Sequence, residues 1–208
     1  MARNDPISKA FAITDHSLRK MFPEDFYKRC MYAAFGVVAL LKDEGIHAQM
    51  IGGDFLCAVV SDDGTQLSLQ GFGTTGAGEP SHFWVHAQGT ILDLGPMYLP
   101  YESPYPAPSP PLFRWPLSAP LPNFIAYRER VRYAHDVEIA NSEFRQRSAD
   151  FVQLCRATSR QQLDAIRPQT WQLRDYQSLR YAAQKGDPWA RAATEFLRRS
   201  IKAEFPSN

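Results

Sequence analysis

What this 208-residue chain has little of sets its first bounds. It has three cysteines, Cys30, Cys57 and Cys155, spaced too widely for any CxxC pair, so neither a disulfide framework nor a structural zinc site is expected. No apolar run approaches the roughly 18–20 residues of a membrane span. Met1-Ala2-Arg3-Asn4-Asp5-Pro6 leads into no apolar core of a signal peptide. The expectation is a cytoplasmic protein without a membrane partner. An excess of one charge sign is also lacking. The formal net charge is +1, which calls for no nucleic acid or acidic partner. The balance is −4 over residues 1–127 and +5 over 128–208. The later basic residues are interleaved with acids, as on solvated helix faces, and do not cluster as in a nucleic-acid-binding tail.

What is there suffices for one domain with a core that needs no staples, at 44% hydrophobic and 22% charged residues. Pro23-Glu24-Asp25 reads as a helix start, apolar residues at 26, 30, 33, 34, 37, 38 and 41 keep helical spacing, and Gly45 ends the run. That helix is apolar over much of its girth and is expected at the centre of the fold. Strands are predicted over 48–53 and 55–60 with a glycine break between them, then over 67–72, 81–87 and 90–94. Gly73 to Pro80 forms a loop, and the last two strands form a hairpin around Gln88-Gly89. Residues 96–122 hold ten of the sixteen prolines together with Tyr98, Tyr101, Tyr105, Phe113 and Trp115. The reading is an extended strap pinned by its aromatics, neither helix nor central strand. A substrate-groove wall and a polyproline ligand are the alternatives. Helices are predicted over about 123–136, 142–157 and 160–166, the last capped by Thr158-Ser159. A pair follows, and Asp187-Pro188 starts its final member. The fold class is therefore α+β: a buried helix packed on an antiparallel β-sheet in residues 1–122, with a helical part over 123–208 on the same domain.

One constellation points to a chemistry. Cys30 fronts the apolar helix, His82 opens Ser81-His82-Phe83-Trp84-Val85-His86, and Asp93 closes Ile91-Leu92-Asp93. A thiol attacks acyl carbon as thiolate, so it needs a base beside it and a third group to hold that base. Along a strand His82, Trp84 and His86 share a face. A hairpin centred near residues 88–89 brings Asp93 opposite 83–85, within reach of the His82 imidazole. Trp84 would shelter that imidazole, and Arg29 would favour the thiolate. His86 is an alternative base. A metal held by His82, His86 and Asp93 is a competing reading, though none is expected. Cys57, inside Phe55-Leu56-Cys57-Ala58-Val59-Val60, reads as core, as do Trp171 and Trp189. His47 and His135 have no company. The glycines after Gly71 make no phosphate loop, because no Lys-Ser/Thr follows.

A cysteine at the start of a buried helix, then His-x-Trp-Val on a strand, then apolar-apolar-Asp, resembles the papain-like cysteine proteinase fold over about residues 24–96. More narrowly it is similar to the transglutaminase-like and arylamine N-acetyltransferase branches. The resemblance implies Cys30 as nucleophile, His82 as general base and acid, and Asp93 as orienting carboxylate. Arg29, Trp84 and His86 would then line the pocket or support the triad. The implied activity is a thiol-dependent hydrolase or acyltransferase acting on an amide, ester or thioester of a peptide or small molecule. No cofactor is implied, except acetyl-CoA as donor for an acetyltransferase. The chain departs from those families in having Lys28-Arg29 before the cysteine and Met31 after it. Its strap and C-terminal helices match neither branch, which implies a separate small bacterial family on the fold. The alternative is a catalytically inactive member serving as a binding or assembly module; a homo-oligomer fits either reading.

Overall fold

A computed structural model describes residues 5–72, 79–133, 141–161, 166, 170–198 and 202–205. It is an α+β fold with a seven-stranded, mostly antiparallel sheet. Helix α1 (Pro6–Met21) starts with Asp5 accepting from the Ser8 amide and Pro6 in its first turn. The Arg114 guanidinium pairs with Asp5 and ties this cap to the sheet. Helix α2 (Cys30–Asp43) follows, then strands β1 (Ala48–Val60), β2 (Leu67–Phe72), β3 (His82–Ala87) and β4 (Thr90–Asp93). After β4 come a single-turn α3 (Gly95–Tyr98), a 3₁₀ turn (Leu99–Glu102), β5 (Leu112–Pro116) and β6 (Ile125–Arg132). Helix α4 (Ser142–Arg160), β7 (Gln172–Leu173), α5 (Tyr176–Gln184) and α6 (Pro188–Arg198) complete the order.

β1 is the hub. Its residues 51–53 pair with both β3 and β6, and its residues 55–57 with both β2 and β6. A strand has two edges, so β6 takes one and β3 and β2 follow each other along the other. The end of β2 and the start of β3 therefore meet beside Gly53–Phe55. From β3 the sheet runs on through β4 and β5 to a parallel β7. One face buries Met50, Phe83, Val85 and Leu92 under α1, α2 and α4. The other buries Ile51, Phe55, Trp84, Phe113 and Trp115 with Leu179, Trp189 and Phe196 of α5 and α6. Gln88 and Gly89 both take positive φ (50° and 68°), the two-residue turn that matches strand twist. The observed pairs Ala87↔Thr90, His86↔Ile91 and Val85↔Leu92 extend to put Asp93 opposite Trp84, as the hairpin reading requires.

Four expectations are corrected. The helix read from Pro23 begins at Cys30, because residues 26–28 form a 3₁₀ turn and Arg29 leaves helical geometry (φ −102°, ψ 41°). Phe26 is buried edge-on against Tyr98 and Tyr101, which holds the chain in that tight turn. The glycine break in β1 is one continuous 13-residue strand. Gly52-Gly53 instead marks the bulge where β6 shifts register, and a Cβ on Gly53 would collide with the Arg128 carbonyl and the Trp84 ring. The proline strap yields α3, a 3₁₀ turn and an interior strand. Prolines are tolerated in first helical turns, and Leu112-Phe113-Arg114-Trp115 contains none. Residues 125–132 are strand, not helix, so the part after residue 122 is not helical throughout. Ile125, Tyr127 and Val131 are strand formers, and both Arg128 and Arg130 reach the buried Asp54.

Further along, Thr158 and Ser159 lie within α4. The helix read over 160–166 falls mostly on residues 162–165, outside the described residues, as do His135 and loop residues 73–78. Asp187-Pro188 does start α6. Trp189 at its head is buried and donates to the Ala58 carbonyl at 3.0 Å. Trp171 donates to Asp187 at 2.9 Å from a position just before β7.

Candidate active site

Cys30 is the first residue of α2. The opening N–H groups of a helix lack partners in the preceding turn, and the N-cap residue Arg29 makes no side-chain cap here. A half-exposed thiol thus stands at the positive end of a 14-residue helix. Its neighbour Arg29 is drawn away: the guanidinium pairs with Asp25 and lies 5.0 Å from the Phe22 ring. Arg29 shapes the turn before the thiol.

His82 is the first residue of β3, paired with Gly53 of β1, and is fully buried. Its ring lies 5.6 Å from Phe72 in near-parallel stacking, 4.8 Å from Phe55 and 6.1 Å from Trp84. Trp84 shelters the imidazole as the strand alternation predicted. Nε2 of His82 bonds to Asp93 Oδ2 at 2.7 Å. Cys30 is near enough to the same imidazole to help raise it. With Nε2 engaged, Nδ1 is the nitrogen left for the thiol. It makes no hydrogen bond among the described residues, and catalytic hydrogen bonds commonly form only when substrate completes the geometry. Cys30 and His82 can meet because each is terminal, one on its helix and the other on its strand.

Asp93 is buried and accepts three hydrogen bonds. His82 and the Tyr127 hydroxyl (2.8 Å) share Oδ2, and the Gly95 amide reaches Oδ1 at 2.7 Å. Burial opposes the charged form of His82. The Asp93 carboxylate, by charge and hydrogen bond, and then Cys30, outweigh it and raise the imidazole from 6.5 to about 10. A raised basic group stabilises the fold fully below its unfolded value, and this contribution is lost as pH rises through the folded one. The pair's contribution should be complete below pH 6.5 and decline towards about pH 10. Urea unfolding of the wild type should show that decline, and Asp93→Asn should flatten it; an equal slope in both proteins refutes this account.

The remaining titratable groups do not join the trio. Burial first, then Asp93, pushes the Cys57 thiol far up, and burial raises Cys155 to about 12. Both are core, as read for Cys57. His86 accepts from the Trp84 indole at 3.1 Å, and burial followed by Arg132 depresses it. It therefore steadies Trp84, and His82, His86 and Asp93 do not converge on one point. Among the described residues no three His, Cys, Asp or Glu side chains could hold a metal, and no helix is long and apolar enough to cross a membrane.

Two residues of the site escaped the sequence reading. Tyr127 lies on the strand read as helix. Gly95 carries a signal that could have been used: Asp-x-Gly after a strand allows the aspartate to accept from the amide two residues on. A Cβ on Gly95 would stand 2.8 Å from His82 Nε2, closer still to its Cε1, and 3.0 Å from Asp93 Oδ1.

No protein-family model matches the chain, and no curated protein matches it. A crystal structure of a genomics target is similar at 19% identity and a TM-score of 0.45, over 76% of this chain and 80% of that one.

Proposed function

We propose that the chain is a thiol-dependent hydrolase or acyltransferase on a papain-like fold, nearest in layout to the transglutaminase-like and arylamine N-acetyltransferase branches. The observation that carries this reading is the buried His82, bonded to Asp93 through one nitrogen, with Cys30 near enough to help raise the same ring.

In the proposed reaction His82, raised to about 10, already holds the Cys30 proton at neutral pH, and the thiolate sulfur attacks the acyl carbon of an amide, ester or thioester. The carbonyl oxygen gains charge beside the opening amides of α2, which stabilise it. Collapse expels the leaving group, His82 returns the proton to it, and a thioester remains on Cys30. Water or an acceptor nucleophile then attacks the thioester, giving its proton to His82 and releasing the Cys30 sulfur beside the imidazolium. Asp93 stays ionised and holds the imidazole. Acetyl-CoA would be the donor in an acetyltransferase version. Three free thiols, one of them half-exposed, suit a reducing cytoplasm. A second reading, a non-catalytic binding or assembly module, draws on the His82 Nδ1, which makes no hydrogen bond among the described residues.

Iodoacetamide separates the two. Cys57 and Cys155 are buried with raised thiols, so they supply a slow internal background. Peptide mapping at neutral pH should find Cys30 alkylated at least about tenfold faster than either, with His82→Ala removing most of that advantage. Equal rates at the three cysteines, or an unchanged rate in His82→Ala, would leave the binding module standing.

A further inference from the structure

Tyr127 is a buried polar side chain that the three-residue mechanism leaves unused. It comes from β6, on the edge of β1 opposite β3, and crosses to the site beside Phe55 and Phe113. Its hydroxyl donates to Asp93 Oδ2 at 2.8 Å, the oxygen that His82 Nε2 reaches at 2.7 Å. Burial and the Asp93 charge hold the phenol protonated, well above its ordinary value, so it acts at this oxygen only as a donor. Among the described residues the groups facing Asp93 include His82 from β3, Tyr127 from β6, the Gly95 amide ahead of α3, and the neutral Cys57 thiol from β1.

We propose that Tyr127 is a positioning residue of this site, which draws part of the Oδ2 charge away from His82 and so limits how tightly Asp93 holds the imidazole proton. This rests on the thiol-enzyme reading and deepens it. A base in acyl transfer must also return its proton to the leaving group. An imidazole bound too strongly to a carboxylate returns it slowly. Gly95 keeps Oδ1 fixed, so loss of the hydroxyl changes charge sharing more than orientation.

The test is proton NMR of the His82 Nε2–H at neutral pH, in the wild type, in Tyr127→Phe, and with 3-fluorotyrosine placed at position 127. Removal of the competing donor should move the resonance downfield. The stronger fluorinated donor should move it upfield. In Tyr127→Phe the acid limb of Cys30 alkylation should also move to lower pH by about half a unit, because a better-held imidazolium favours the thiolate. An unchanged resonance, or an upfield move in Tyr127→Phe, overturns the proposal. If Tyr127→Phe does not fold, the near-isosteric fluorotyrosine protein decides by the same rule. The NMR reading needs no reactive thiol. A slow Cys30 in the wild type would defeat the catalytic reading while the resonance still judges Tyr127.

Discussion

Alanine at position 95 should lower the neutral-pH alkylation rate of Cys30 by about tenfold or more while the protein stays folded. The added methyl would stand 2.8 Å from His82 Nε2 and nearer to Cε1, closer than real Cβ atoms approach, so the ring or the turn must move. The ring cannot retreat, because Phe55, Phe72 and Trp84 pack against it. Displacement disturbs either the Nε2 bond to Asp93 or the nearness to Cys30. An unassisted thiol is only a few per cent thiolate at neutral pH, and the greater nucleophilicity of a more basic thiolate recovers part of that loss. These two effects set the factor of about ten. Turnover should fall further, by about a hundredfold, because a misplaced imidazole also fails to protonate the leaving group. Gly36→Ala is the control. A Cβ there meets Thr14 and Phe151 at 3.0 Å, within the core and away from the site. Overpacking costs about 1–3 kcal/mol in either variant, but only Gly95→Ala should slow alkylation. Equal alkylation rates in the two variants would show that Gly95 matters only for packing.

The parts of this site that could be read from the sequence are those with a local periodicity behind them. Alternation put His82, Trp84 and His86 on one face, and a two-residue turn at Gln88-Gly89 fixed the register that brings Asp93 alongside. Each step needed no more than a dozen residues of chain. The start of α2 was misplaced because Pro23-Glu24-Asp25 carries every local signal of a helix start. What overrides it is the burial of Phe26 among aromatics from α3 and the turn after it, more than 70 residues away. Tyr127 was lost for a similar reason. Tyr-Arg-Glu-Arg-Val-Arg fits a charged helix as well as an edge strand, and the deciding partner is a single buried carboxylate on β1. The C-terminal strands thus depended on long-range pairing that short-range pattern cannot express. The strap illustrates the converse: ten prolines dominate its composition, yet the sheet uses only a short run within it whose one proline, Pro116, closes the strand.

That carboxylate carries the other large effect. Asp54 is fully buried, and it accepts from Arg128 Nε at 2.7 Å and Arg130 Nε at 2.8 Å. The bulge opposite Gly52-Gly53 inserts one extra residue into β6, which gives β1 two arginines near one acid. The arginines keep part of their surface in water (side chains 36% and 17% exposed), whereas the acid keeps none. The expensive error is therefore to remove the cations. Arg128→Met with Arg130→Met should destabilise the fold by about 3–5 kcal/mol, the cost of a buried charge stripped of both these cations, and Arg130→Met alone by clearly less. Without its cations the buried carboxyl prefers the neutral form, so its pKa rises above the unfolded value and the penalty shrinks as pH falls. Adding Asp54→Asn to the double variant should restore part of the loss at neutral pH. Urea unfolding of the four proteins measures each step. A double variant within about 1 kcal/mol of wild type would class the cluster with ordinary surface pairs, and no recovery on adding Asp54→Asn would show that the cost lies in lost arginine packing. Because Arg128 directly follows Tyr127, β6 loosened at Asp54 should also carry the Tyr127 hydroxyl away from Asp93 and, as in Tyr127→Phe, move the acid limb of Cys30 alkylation to lower pH in the double variant, which links the clamp on β1 to the chemistry at the start of α2.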